Sequence, residues 1–311
     1  MAEWDVKAPG DQFGKLVVIT GGNSGVGLEA GRALARCGAN VVLACRDPER
    51  AETARESISE GAQGSVSTIA LDLADLDSVA DCAKRLAGDH EHIDALVLNA
   101  GIMGGHRGDT AQGHERQMGT NHLGHFALTA QLWPQLSAAP EGRVVPVSSL
   151  ASRGGKLDAS MTRETLVDPP KYKANTVYSN TKQANLLFAQ ELHRRAREAG
   201  SAVRSIAVHP GVSGTALFGR QLREQGFGFL APIGDQVVKL AFQSAAAGAW
   251  PTVRAVCDPD VESGAFVAPT GLFGSRGKPK VIDLFSVGTD EQAAKRLWEL
   301  SEDITGVPFR I

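Results

Sequence analysis

Leu16-Val17-Val18-Ile19-Thr20 runs straight into Gly21-Gly22-Asn23-Ser24-Gly25-Val26-Gly27, and a helical pattern begins before that glycine-rich stretch has ended. An unbroken β-branched run reads as a strand buried on both faces. Glycines there let the backbone turn tightly and approach a ligand. Free N–H groups at the start of the next helix then form an anion site. With 35 glycines in the chain, chance clusters are easy. Strand before and helix after separate this pattern from a plain tight turn, which is the competing reading.

The same alternation extends outward. Residues 25–37 read as a helix ending at Gly38, 40–44 as a strand, and 48–60 as a polar helix with Pro48 at its first position. Residues 65–70 form a third strand, Leu76, Val79, Ala83 and Leu86 recur at helical spacing, and 95–98 form a fourth strand. A helix over about 113–135, a strand at 143–147, a long helix over about 177–198 and a strand at 203–208 follow. A Gly- and Phe-rich interruption at 211–230 precedes a helix over about 235–249 and a strand near 264–267. The last helix, to about Ser301, is expected to open on a Thr289…Gln292 capping box. Such alternation implies an α/β fold, a Rossmann-type doubly wound parallel sheet with helices on both faces. No linker or repeat divides residues 1–311, which read as a single domain. Pro146 conflicts with its strand because it lacks an N–H, so a bulge or a break in pairing is expected there.

A net charge of −3 gives no electrostatic reason to expect nucleic acid or an anionic membrane as partner. Cys37, Cys45, Cys82 and Cys257 show no C-x-x-C spacing, which fits buried thiols in a reducing compartment better than disulfides or zinc. No apolar run approaches the ~18 residues of a membrane-spanning helix. A cytoplasmic protein without an integral membrane segment is expected, and the sequence leaves room for a homo-oligomer.

The turn reads T-G-x-x-x-G-x-G, not G-x-G-x-x-G, and in this it resembles the short-chain dehydrogenase/reductase family. Gly21, Asn23, Ser24, Gly25, Val26 and Gly27 would there line the dinucleotide. Further matches follow in the family's order over about residues 15–215. Asp72, with Leu73 beside it, resembles the residue whose carboxylate takes the adenine amino group; a helix cap is its alternative. Asn99-Ala100-Gly101 resembles the element beside the cofactor, with Leu98 where a further Asn is common. Pro210-Gly211-Val212-Ser213-Gly214-Thr215 resembles the loop whose threonine, here Thr215, holds the nicotinamide carboxamide.

Tyr178-Ser179-Asn180-Thr181-Lys182 fits the family's Y-x-x-x-K. Residues four apart on a helix share a face, so the ammonium can sit near the phenol. With a pKa of about 10 tyrosine alone is a poor base near neutrality; a neighbouring Lys⁺ and a positive nicotinamide ring would stabilise its phenolate. Tyr172, the only other tyrosine, has Thr176 four residues on. The resemblance implies that Tyr178 and Lys182 both act in catalysis and touch the cofactor. It further implies that Ser149 rather than Ser148 polarises the substrate oxygen, and that Asn121 holds a water linking the lysine to solvent. A strand-end turn serine and an ordinary helical asparagine are the alternatives. His122 and His125, spaced i, i+3 without a nearby carboxylate, are expected to face solvent or cap, and no metal is expected. No G-x-S-x-G elbow occurs, which sets serine hydrolysis aside.

Ala44-Cys45-Arg46-Asp47 ends the second strand. Counting ~20 residues past the glycines would choose Asp47 and NAD(H). Alignment with the family puts Cys45 at the acid's usual place and Arg46 beside it, favouring NADP(H) over NAD(H). Insertions at about 151–176 and 211–230, with A-C-R-D and N-H-L-G-H-F, resemble the retinol-dehydrogenase-like branch. Leu217, Phe218, Phe227, Phe229 and Leu230 would then cover the nicotinamide pocket and imply a small-molecule substrate, an apolar, fairly bulky alcohol or carbonyl. An NADP(H)-dependent oxidoreductase is expected. A catalytically idle NADP(H)-binding sensor or scaffold, and an isomerase or dehydratase on the same scaffold, are the alternatives.

Overall fold

Strand β1 (Leu16–Thr20) is buried at every position, as are β4 (Ala95–Leu98) and all but the first residue of β2 (Asn40–Cys45). In the computed structural model, which describes residues 4–5, 9–211, 243–271 and 274–311, these strands lie at the centre of a parallel sheet. With β3 (Val66–Ala70), β5 (Arg143–Pro146) and β6 (Arg204–Ser205) the order is β3-β2-β1-β4-β5-β6. Strand residues alternate between faces. Val17 and Ile19 therefore join one apolar cluster, with Leu34 and Val253, while Val18 joins another, with Phe126, Phe188 and Trp298. Helices α1 (Gly25–Arg36), α2 (Pro48–Ser59) and α3 (Leu76–Asp89) make the early crossovers. The strand order reverses between β1 and β4, which opens a crevice at their carboxyl ends, where such sheets take ligands.

Three departures from expectation have identifiable causes. The helix expected over 113–135 is broken. Arg116–Met118 makes one turn, Gly119–Leu123 is π-helical with the Gly124 N–H reaching the Gly119 carbonyl, and α4 (Gly124–Gln131) and α5 (Trp133–Ala138) follow. Pro134, at the second position of α5, has no N–H with which to continue the preceding helix. The strand expected at 203–208 is two short ones, β6 and β7 (Ala207–Val208), separated at Ile206. Strand β7 pairs with β8 (Phe266–Gly271), and β8 pairs antiparallel with β9 (Arg276–Ile282), a strand absent from the sequence reading. The third is the end of α7 (Ala245–Cys257), which continues past the expected stop at 249 with Pro251 inside it. The earlier part of that expected helix, 235–242, lies outside the described residues.

Pro146 shows why the second break is tolerated. The N–H groups of Arg143 and Val147 donate to the Asp94 and Leu98 carbonyls of the β4 side, at 2.8 and 3.1 Å. Pro146, one residue off that phase, presents its missing N–H to the opposite edge. There the pairing stops at Val144–Ser205 and resumes as an isolated bridge between Val147 and Val208. Against β4 the register is undisturbed, with Leu98 opposite Pro146.

Candidate active site

Ser24 is the N-cap residue of α1, in extended conformation (φ −163°, ψ 160°), and its side chain makes no capping bond. The first N–H groups of α1 are thus left without the side-chain acceptor that most helices provide. Gly21 and Gly25 have φ of +66° and +56°, a left-handed region that favours glycine. Gly27 is required by crowding instead. A Cβ there would lie 2.4 Å from Asn99 Nδ2 and 2.8 Å from the Gly21 carbonyl oxygen. Asn99 Nδ2 donates to the Thr20 carbonyl at 2.9 Å, and the N–H groups of Asn99 and Ala100 both donate to Thr20 Oγ1 at 3.0 Å. The turn over Asn23 and Val26 is therefore locked against Asn99-Ala100-Gly101, and an uncapped helix end beside it fits a pyrophosphate.

At the end of β2 the two candidate cofactor selectors part company. The Asp47 carboxylate caps α2, accepting from Arg50 N–H at 3.1 Å. The Arg46 side chain is 70% exposed, with Asp72 Oδ2 4.0 Å from its Nη1. Cys45 is buried under the turn beside the N–H groups of Gly22 and Asn23, and burial pushes its thiol up to about 11. Asp72 Oδ1 accepts from the Ala74 N–H at 2.9 Å, but α3 is capped by Asp75, so Asp72 is not its N-cap. Leu73 is buried, its carbonyl so close to Gly124 that a Cβ there would be 2.4 Å away.

The long helix α6 (Ala174–Glu198) carries Tyr178 and Lys182 on one face, with Lys182 Nζ 5.8 Å from the centre of the Tyr178 ring. Lys182 is buried, donates to the Val147 carbonyl at 3.0 Å, and burial depresses its ammonium to about 8. Burial also pushes the Tyr178 phenol up, while a hydrogen bond with Ser149 pulls it back. Burial, not the expected attraction of the ammonium, thus dominates at Tyr178. Ser149 Oγ also accepts from the Ala151 N–H at 3.2 Å, whereas the Ser148 hydroxyl is spent on the Lys182 carbonyl at 2.7 Å. That difference is the physical ground for choosing Ser149 over Ser148.

Asn121 lies in the π-helical segment and is buried. Its Nδ2 donates to the Ile102 carbonyl and to Thr181 Oγ1, and its Oδ1 accepts from the Ile102 N–H, at 2.9, 3.0 and 2.8 Å. A Cβ on Gly101 would lie 3.3 Å from Asn121 Oδ1 and 3.4 Å from Lys182 Nζ, so these three groups meet. His122 and His125 do not face solvent. Both are buried, His122 against Ser301 Oγ at 2.9 Å and His125 against Thr20 Oγ1 at 2.8 Å. Sequence reasoning also missed Gln117, for which no motif speaks. Its buried amide donates to Tyr172 Oη and the Ala174 carbonyl and accepts from the Gly104 N–H. Pro210 follows β7 and its carbonyl accepts from Gln243 Nε2, while Thr215 lies outside the described residues.

A family model for short chain dehydrogenase matches residues 15–161. Retinol dehydrogenase 13 of Homo sapiens is 36% identical over 298 residues, covering 94% of this chain and 85% of that one. Retinol dehydrogenase 14 of Mus musculus is 35% identical over 312 residues, covering 96% and 88%. A crystal structure from Mycobacterium paratuberculosis matches both chains over their full lengths with a TM-score of 0.80 at 35% identity. With a parallel sheet, a glycine turn locked to Asn99 and a buried Lys182 beside a half-buried Tyr178 already in place, near-complete coverage by such relatives leaves one conclusion. The chain belongs to the short-chain dehydrogenase/reductase family, in its retinol-dehydrogenase-like branch.

Proposed function

We propose that this oxidoreductase interconverts an apolar alcohol and its carbonyl compound with NADP(H), Tyr178 moving the proton at the substrate oxygen. The observation that carries the reading is the buried Lys182 ammonium, 5.8 Å from the centre of the Tyr178 ring on one face of α6. A nicotinamide dinucleotide would supply or accept the hydride. Gly21, Asn23, Ser24, Gly25, Val26 and Gly27 would hold its pyrophosphate at the uncapped end of α1. Asp72, Leu73, Asn99, Ala100, Gly101, Pro210 and Thr215 would line the rest of its length, with Tyr178 and Lys182 at the reacting end.

In the resting protein burial keeps the Tyr178 phenol protonated, the form that reduction of a carbonyl needs. Ser149, whose hydroxyl proton is not drawn by the Ala151 N–H it accepts from, would orient the substrate oxygen toward that phenol. Lys182, depressed to about 8, still carries its charge at neutral pH and would favour the phenolate that alcohol oxidation needs. Arg46 supports NADP(H): its guanidinium is exposed beside the turn, whereas the Asp47 carboxylate is committed to α2.

Leu157, Met161, Leu166 and Val167, from the insertion at 151–176, are buried in a cluster with Ala184, Leu187 and Leu297. That insertion is thus anchored in the single domain, and the apolar cover of a substrate would come from 211–230, of which only Gly211 is among the described residues. Four free cysteines support a reducing, cytoplasmic setting. No helix among the described residues is long and apolar enough to cross a membrane. The test is NADPH consumption across apolar aldehydes, ketones and quinones. Tight NADPH binding with no consumption by any of them would replace the enzyme by an idle binder.

A further inference from the structure

His125 is a buried titratable side chain to which the reaction as proposed gives no part, and its two ring nitrogens touch two parts of the site. Nδ1 is 3.0 Å from the Asn121 carbonyl and Nε2 is 2.8 Å from Thr20 Oγ1. A carbonyl only accepts, so Nδ1 must carry the proton. The reverse tautomer would set two lone pairs against each other at Asn121. Nε2 is then bare and accepts from the Thr20 hydroxyl, for which the alternative acceptor, the Val97 carbonyl, is farther at 3.3 Å. The Thr20 oxygen in turn accepts from the Asn99 and Ala100 N–H groups. Every polarity along this chain is therefore determined, from the loop after β4, through Thr20 and His125, to the Asn121 carbonyl.

Asn121 passes the constraint on through its side chain, which holds Ile102 and Thr181, the neighbour of Lys182 on α6. The carbonyl that His125 takes belongs to the π-helical segment, where the backbone ladder is displaced by one residue. Such segments need outside partners to persist. We propose that His125, as its Nδ1–H tautomer, is a positioning residue that ties the Thr20 end of the phosphate turn to the Asn121 carbonyl. It thereby keeps Lys182 in register with the cofactor. The proposal rests on the oxidoreductase reading of this site.

Asparagine can mimic Nδ1 and glutamine Nε2, which separates the two ends. H125N keeps a donor for Asn121 and loses the acceptor for Thr20; H125Q does the reverse. H125Q is expected to lower kcat at least about tenfold with the NADPH Kd within about threefold. H125N is expected to keep kcat within about threefold and to weaken NADPH binding by more than H125Q does. Equal losses in both variants, or the reverse split, would overturn the proposal. Ring nitrogen-15 NMR of the unmodified protein needs neither turnover nor a variant that folds. It is expected to show Nδ1 protonated and Nε2 bare across about pH 5–8, and an Nε2–H or doubly protonated ring would overturn the assignment. If the unmodified protein reduces no carbonyl at all, the oxidoreductase reading fails separately, while the NMR and the NADPH titrations still decide the role of His125.

Discussion

At the scale of single residues, the proposed reaction divides groups that would move a proton from groups that would hold the cofactor. Tyr178→Phe removes only the phenolic oxygen from a ring whose neighbours remain. It should abolish measurable NADPH consumption while leaving the NADPH Kd nearly unchanged, and a variant retaining most of its kcat would remove Tyr178 from the reaction. Arg46 tests cofactor choice. If its guanidinium bonds a 2′-phosphate, the bond is charge-assisted and has no counterpart in NADH. Arg46→Ala should then weaken NADPH more than NADH by about 1.5–3 kcal/mol, read by fluorescence titration with both cofactors. A preference of the unmodified protein for NADH would return the choice to Asp47. That would require Asp47 to leave its capping bond to Arg50 on α2.

At the scale of elements, α1, β1, β2, α2 and β4 were legible because each is a strong local pattern: a β-branched run, a glycine turn, a proline at a first helical position. The break after Met118 was not, because π-helical bonding at Gly119–Leu123 depends on partners distant in sequence, Thr20 and Ile102 among them. That Lys182 lies on the Tyr178 face of α6 was legible from the i, i+4 spacing, while Gln117 was not, since a buried amide hub leaves no periodic signature. Strand β9 was hidden by its composition, Arg276–Ile282 being largely polar with Pro279 inside, as suits an edge. Helix α8 (Glu291–Thr305) shows a subtler error. The sequence suggested Thr289 as its cap, but Asp290 is the cap, its carboxylate accepting from the Gln292 and Ala293 N–H groups at 3.0 Å each. Asp290→Ala should therefore cost about 1 kcal/mol in chemical denaturation with NADPH binding unchanged. Thr289→Ala, which loses only a bond to the Ser286 carbonyl, should cost clearly less. Equal costs would restore Thr289 as the cap.

At the scale of the whole molecule, buried histidines link stability to pH, His122, His125 and His209 most strongly. Burial pushes His122 down to about 4, His125 to about 3, with Lys182 nearby adding to the effect, and His209 to about 4, with Arg153 adding. Two are also held by a bond that only the neutral ring makes: His209 Nδ1 accepts from the Gly211 N–H at 3.0 Å, and His125 Nε2 accepts from Thr20. Unfolded, all three titrate near about 6.5. Below that value the unfolded chain takes up protons that the folded chain refuses, so stability is fully present above about pH 6.5 and falls as pH drops toward 4. Glu115 works in the opposite sense. Its buried carboxyl is raised, so the folded state accepts its proton early and offsets part of the loss in acid. With His114 and His193 also lowered by burial, the histidines outweigh one carboxyl, and urea denaturation at pH 7, 6 and 5 should show ΔG of unfolding declining at each step, with uptake of at least about two protons near pH 5. His122→Gln should flatten that slope by about one proton, since glutamine can still meet Ser301 without titrating. A stability constant or rising between pH 7 and 5 would mean that these rings are reached by water and titrate in the folded state. The neutral His125 that joins Thr20 to Asn121 would then be lost with them.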